Sequence, residues 1–165
     1  MGWGGLCTSS RAGRMGGLLS LIHISFWDDD GNAYLVHSKK GAGPLILHRM
    51  APDGLSVLDD GKEIVRDAKE LPTLEGPKMY KRDGYYYIFA PFGGVSTGAQ
   101  VVLRAKSIDG PYEHRVVLAQ GTTQVNGPHQ GGYVESQDGM GWFVHFQSRG
   151  AHGRIAVSYT HLFLG

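Results

Sequence analysis

Three stretches of this chain are built on one plan, and their spacing limits what the whole can become. Residues 25–37, 78–90 and 132–146 each read as strand, Asp-Gly turn, strand. Asp-Gly between two apolar-patterned runs marks a two-residue hairpin, because that turn needs positive φ at its central residues. The turn glycines are Gly31, Gly84 and Gly139, steps of 53 and 55 residues. A period of about 50 residues indicates a propeller or solenoid. A second hairpin follows the first two: residues 45–50 run into Asp53-Gly54, and 101–106 run into Asp109-Gly110, with Gly54 and Gly110 again one period apart. Four strands per unit is the blade of a β-propeller. The first hairpin supplies the inner pair and the second the outer pair. Residues 55–74 and 113–131 are then blade-to-blade connections, with a short helix expected within 59–70. The fold class is all-β: about two blades and the first hairpin of a third. Closed propellers have about four to eight blades. An unclosed one exposes strand edges and apolar blade faces, so the isolated chain is expected to be poorly soluble or partly folded. A monomeric preparation that melts cooperatively would contradict this.

Composition agrees and narrows the function. Gly is abundant, at 26 of 165 residues, which suits many short strands joined by tight turns. A formal net charge of +1 gives no nucleic-acid-binding excess. No apolar run approaches the roughly 18 residues of a membrane span. Cys7 is the one cysteine, so there is neither a disulfide framework nor a cysteine metal site. Nothing in the chain indicates a compartment.

The two ends differ in character from the middle. Residues 1–18 show no period, no caps and no signal-peptide pattern. Leu19-Ser20-Leu21-Ile22-His23-Ile24 and Val157-Ser158-Tyr159-Thr160-His161-Leu162 are unrelated as peptides. Both are reading frames of one nucleotide string, CTGTCTCTTATACACATCT, which resembles a transposase adapter used in sequencing libraries. The expectation is that residues 25–156 are the native partial propeller, and that 1–24 and 157–165 are read-through. Different codons at these positions in the source DNA would overturn it.

The chemistry concentrates where the connections meet the inner strands. They end in similar words, Glu75-Gly76-Pro77-Lys78 and Asn126-Gly127-Pro128-His129-Gln130, and both should open onto the propeller axis. Taken by itself, Glu75 reads as a solvated loop acid; the repeat moves it to the axis. A funnel holding an acid, a His, amides and an Arg suits a polyhydroxylated ligand: amides and guanidinium groups bond hydroxyls, and a carboxyl can protonate a leaving oxygen. His129 at the axis is a hydrogen-bond donor or metal ligand, against the plainer reading of a structural His. Arg154 stands at the next strand entry, against a plain surface Arg. Asp28, Asp29 and Asp30 lie in the hairpin turn on the opposite rim and read as turn acids. Gly93–Gly98 reads as a loop over the funnel, since it opens no helix that could cradle phosphate. Phosphate-loop, HExxH, GxSxG and CxxC patterns are absent.

The words SFWDDDGNAYLVHS, EGPKMYKRDGYYYIFAP, GPYE, NGPHQGGYV and GWFVHFQ, followed by a Gly-Arg pair, occur in order. Together they resemble glycoside hydrolase family 43, closest to its β-xylosidase and α-L-arabinofuranosidase branch. The resemblance covers nearly all of 25–156. It implies a five-bladed propeller in the parent, an oligosaccharide or polysaccharide substrate such as xylan side chains, and no required cofactor. It also implies an inverting mechanism with three acids. Glu75 takes the place of the general acid. The general base would lie upstream of the native part. The third acid, an Asp that orients the substrate, would precede Ser25, where this chain has Ile22, His23 and Ile24. The resemblance assigns His129 to the axis, near a calcium or water in some members, and Arg154 to sugar contact. Gln124, Asn126, Phe92 and Gln100 are further candidates for the pocket wall. With one acid of three, the chain is expected to be inactive. A propeller repeat serves equally a non-catalytic sugar- or protein-binding module, because fold does not fix function; Glu75 in Glu-Gly-Pro argues for the enzyme.

Overall fold

A computed structural model describes residues 23–122, 126–148 and 154–160. These residues form three antiparallel sheets. The first has the order β1 (His23–Trp27), β2 (Ala33–Ser38), β3 (Leu45–Met50), β4 (Lys62–Val65). The second runs β5 (Lys78–Arg82), β6 (Tyr85–Phe92), β7 (Ala99–Ala105), β8 (Glu113–Leu118). The third joins β9 (Asn126–Glu135), β10 (Gly141–Ser148) and β11 (Arg154–Thr160). The three repeated hairpins are β1–β2, β5–β6 and β9–β10, and each opens its sheet as expected. In the Asp83-Gly84 turn both residues take positive φ, 50° and 75°.

Two details differ from the sequence reading. Residues 59–70 hold a strand, β4, where a helix was expected; Lys62-Glu63-Ile64-Val65 pairs along the free edge of β3. In the second sheet β8 likewise takes the first part of the connection. The third sheet has a third strand, because residues 154–160 pair along the open edge of β10. β1 and β11 thus include His23, Ile24 and residues 157–160 of the adapter-like strings. Among the described residues no helix is long and apolar enough to cross a membrane.

The second sheet is the centre, and β6 shows why. Its side chains alternate between two cores. Ile88 and Ala90 face the first sheet, joining Val36, Leu45, Leu47, Leu71, Leu74, Met79, Val101 and Leu103. Tyr87 and Phe89 face the third sheet, joining Val102 and Phe143. An aromatic run too apolar for solvent is therefore buried on both sides. The inner strands gather: β1 lies against β5, and β9 against β6 and β7. The far face of the third sheet stays open, with Val134, Val144 and Phe146 each about half exposed.

Candidate active site

Glu75 is placed by what flanks it. Leu74 is buried in the aliphatic core, and Gly76 and Pro77 are buried too. The Glu75 backbone N–H donates to the Pro91 carbonyl at 3.0 Å, fixing the turn to the end of β6. The side chain is what remains free to project, with 21% of it exposed. It projects toward β9: Glu75 Oε1 lies 3.1 Å from His129 Nε2, whose side chain is only 4% exposed. The two similar words at the connection ends, one from each blade, thus meet in space. At that distance imidazole and carboxyl are within hydrogen-bonding reach, which holds the acid in a fixed direction while about a fifth of its side chain stays exposed.

The surrounding backbone is tight. The loop 93–98 closes by a Gly98 N–H bond to Gly94 O at 2.9 Å, and Gly93 N–H donates to Pro72 O at 2.7 Å. It packs on the start of β9: a Cβ on Gly127 would lie 2.8 Å from the Val95 carbonyl. The expected loop over the funnel is therefore a compact turn seated beside the candidate acid.

The other candidates divide. Asn126 and Arg154 both stand opposite Ser148 on β10, so register puts Asn126, Ser148 and Arg154 in one row across the third sheet, at the end where His129 lies. Phe92 ends β6 and is half-buried beside the aliphatic core. Gln100 is fully buried in β7; its Nε2 donates to the Val101 carbonyl at 3.3 Å, and its Oε1 has no partner among the described residues. Gln124 lies outside the described residues.

Asp28 occupies the opposite end of the inner strands, as its turn position implied, but it is not a solvated turn acid. It is 9% exposed and accepts hydrogen bonds from Lys81 and Tyr86 of the neighbouring sheet. Burial alone would raise its pKa; the bonds from Lys81 and Tyr86 outweigh that and hold it below the ordinary carboxylate range. Arg82 repeats the device one sheet on, bonding Glu135 at 2.9 Å and the Tyr133 hydroxyl. Sequence gave no sign of these ties, because the partners are more than 50 residues apart.

A calcium at the axis is a poor fit to the described residues. His129 and Glu75 supply one nitrogen and one carboxylate, whereas calcium takes about six to eight oxygens. Among the described residues, three metal-type ligands converge at Asp67, Glu70 and His114, in the connection and on β8, and Glu75 is not one of them.

The sequence reading missed Gln130. Its carboxamide lies against Gly76: a Cβ there would sit 2.5 Å from Gln130 Oε1. A side chain at position 76 would have to displace that carboxamide, and the positive φ of Gly76, 50°, itself favours glycine there. The words Glu-Gly-Pro and His-Gln stood in the sequence, but nothing in either showed that Gly and Gln touch.

Residues 24–160 match the glycosyl hydrolases family 43. A protein of Xylanibacter ruminicola named "Putative beta-xylosidase" is 55% identical over 130 residues, covering 79% of this chain and 24% of that protein. A beta-xylosidase of Formosa agariphila is 34% identical over 146 residues, covering 73% and 24%. A solved family 43 glycoside hydrolase, engineered to show both endo-xylanase and exo-arabinofuranosidase activity, superposes with a TM-score of 0.70 at 30% identity, covering 84% of this chain and 26% of that one. The chain belongs to glycosyl hydrolase family 43. It spans about a quarter of the length of the curated relatives it matches.

Proposed function

We propose that this chain carries the acid side of an inverting glycosidase active site, acting on O-glycosidic bonds of xylo- or arabino-oligosaccharides. The observation that supports it is the Glu75 carboxyl, 3.1 Å from His129 with 21% of its side chain exposed, in a chain of family 43. Protonated Glu75 donates its proton to the glycosidic oxygen as the C–O bond breaks, so the leaving sugar departs as a neutral alcohol. Water then enters from the opposite face of the ring, with its proton taken by a base about 6.5–9.5 Å from the acid. The resemblance assigns that base to an Asp of the propeller's first blade. Arg154, Asn126, His129 and Phe92 are assigned to the wall that holds the sugar, whereas Gln100 is fully buried in β7 and lies behind that wall. Xylosidase-type relatives favour a β-xyloside substrate.

Two measurements test this. The purified chain should leave 4-nitrophenyl β-D-xyloside and α-L-arabinofuranoside uncleaved, yet bind xylobiose, and Glu75→Ala should weaken that binding. Cleavage that vanishes in Glu75→Gln would overturn the inactivity while supporting the acid. Binding indifferent to Glu75→Ala would overturn the site.

A further inference from the structure

The strand that carries His129 is interrupted beside it. In the β9–β10 ladder Val144 stands opposite Gly132 and Phe146 opposite His129. Gln130 and Gly131 together therefore face His145 alone, which is a β-bulge. Bulges re-aim side chains and concentrate next to active sites. The bulge puts Gln130 at φ 52°, a left-handed conformation uncommon for a residue with a side chain. Such strain persists only where the surroundings over-determine it, and it clusters at functional sites. Here the surroundings are visible. Gly131 is pressed against the Phe143 ring so closely that no Cβ could be added, and Phe143 is buried in the aromatic core. The bulge cannot slip without breaking that packing.

The result of the strain is a half-buried carboxamide laid along Gly76, the residue after Glu75, while His129, the residue before it, touches the Glu75 carboxylate. A carboxamide offers a donor and an acceptor on one rigid plane, which suits a sugar's adjacent hydroxyls and carries no charge to disturb the acid. We propose that Gln130 is a sugar-contacting residue of this site, hydrogen-bonded to a hydroxyl of the sugar whose glycosidic oxygen Glu75 protonates. This rests on the glycosidase reading above.

The test is calorimetric titration of the chain with xylobiose, beside thermal melts. Gln130→Met keeps the volume and removes the hydrogen bonds; it should weaken binding about five- to tenfold, the worth of one or two neutral hydrogen bonds, with Tm unchanged. Gln130→Gly relieves the positive φ; it should weaken binding similarly with Tm unchanged or higher. Glu75→Ala serves as reference. If Glu75→Ala weakens binding and Gln130→Met does not, Gln130 is not a sugar contact and the glycosidase reading stands. If both leave affinity untouched, or a wild-type chain shown by its melt to be folded binds no xylobiose at millimolar concentration, both readings fall. A Gln130→Gly variant that loses Tm along with binding would make Gln130 a packing residue and overturn the proposal.

Discussion

The two junctions between sheets solve the same packing problem with different chemistry. Between the first and second sheets the fully buried side chains are aliphatic, with Leu45, Ile88, Val101 and Leu103 all at or below 1% exposure. Among the described residues one ring pair crosses there, Phe26 edge-on to Tyr86 at 6.2 Å, and it lies at the partly buried margin. Between the second and third lie rings. Phe89 stacks on Phe143 at 5.5 Å and on Tyr133 at 5.8 Å, meets Tyr80 edge-on at 5.5 Å, and Phe143 stacks on His145 at 5.8 Å. Aliphatic packing is tolerant of small shifts, whereas stacked rings fix orientation as well as distance. The candidate acid bridges the second junction, reaching from the second sheet to His129 on the third. The stiffer seam is thus the one on which the Glu75–His129 geometry depends.

The sharpest way to break this comparison is to remove its hub. Phe89→Ala should cost about 3–5 kcal/mol, and Leu103→Ala in the other junction about 2–5 kcal/mol. Denaturant unfolding measures both. If stiffness is what matters, Phe89→Ala should abolish xylobiose binding under conditions where both variants remain folded, while Leu103→Ala should retain it; equal effects on binding would dissolve the distinction. Next in size is Gly131→Ala, which forces a methyl into the Phe143 ring and should cost about 1–3 kcal/mol; a neutral result would mean that the seam is looser than its geometry implies.

The smallest effects are in pH, and they separate the junctions by window. Burial lowers the pKa of His145 at the aromatic seam. Its unfolded form takes up a proton first, so stability should begin to fall as pH drops below about 6.5. Asp28 at the aliphatic seam has a depressed pKa. Its contribution is fully present above about pH 3.9 and is lost only as pH falls through its lower folded value. His145→Phe should remove the first loss and Asp28→Asn the second. Melting curves from pH 8 to pH 2 on each variant check the assignment; a single transition window shared by both would refute it.

The blades were legible because each is local. A hairpin is closed by its own Asp-Gly turn, and period-2 alternation is written within five or six residues, so β1–β2, β5–β6 and β9–β10 could be placed in advance. β4 and β8 were not placed, because an edge strand such as Lys62-Glu63-Ile64-Val65 is half polar and takes its strand character from the neighbour it pairs with. β6 announced burial by its aromatics but not that its two faces serve different cores. At the site, Glu75 and His129 were legible as ends of two similar connections. Their 3.1 Å contact was not, nor was the bulge that turns Gln130 onto Gly76. A bulge is a mismatch between two strands, and neither strand records it alone.

By itself, then, the sequence determined the repeat, the inner hairpins and the acid at the mouth of β5, because turn chemistry and strand alternation act over a few residues. Tertiary structure alone decided which side chains meet across the junctions. Asp28 with Lys81, Arg82 with Glu135, Glu75 with His129 and Gln130 with Gly76 are pairs about 50 residues apart. Such pairs are set by how blades stack, and stacking is governed by the shape of whole faces rather than by any short word in the chain.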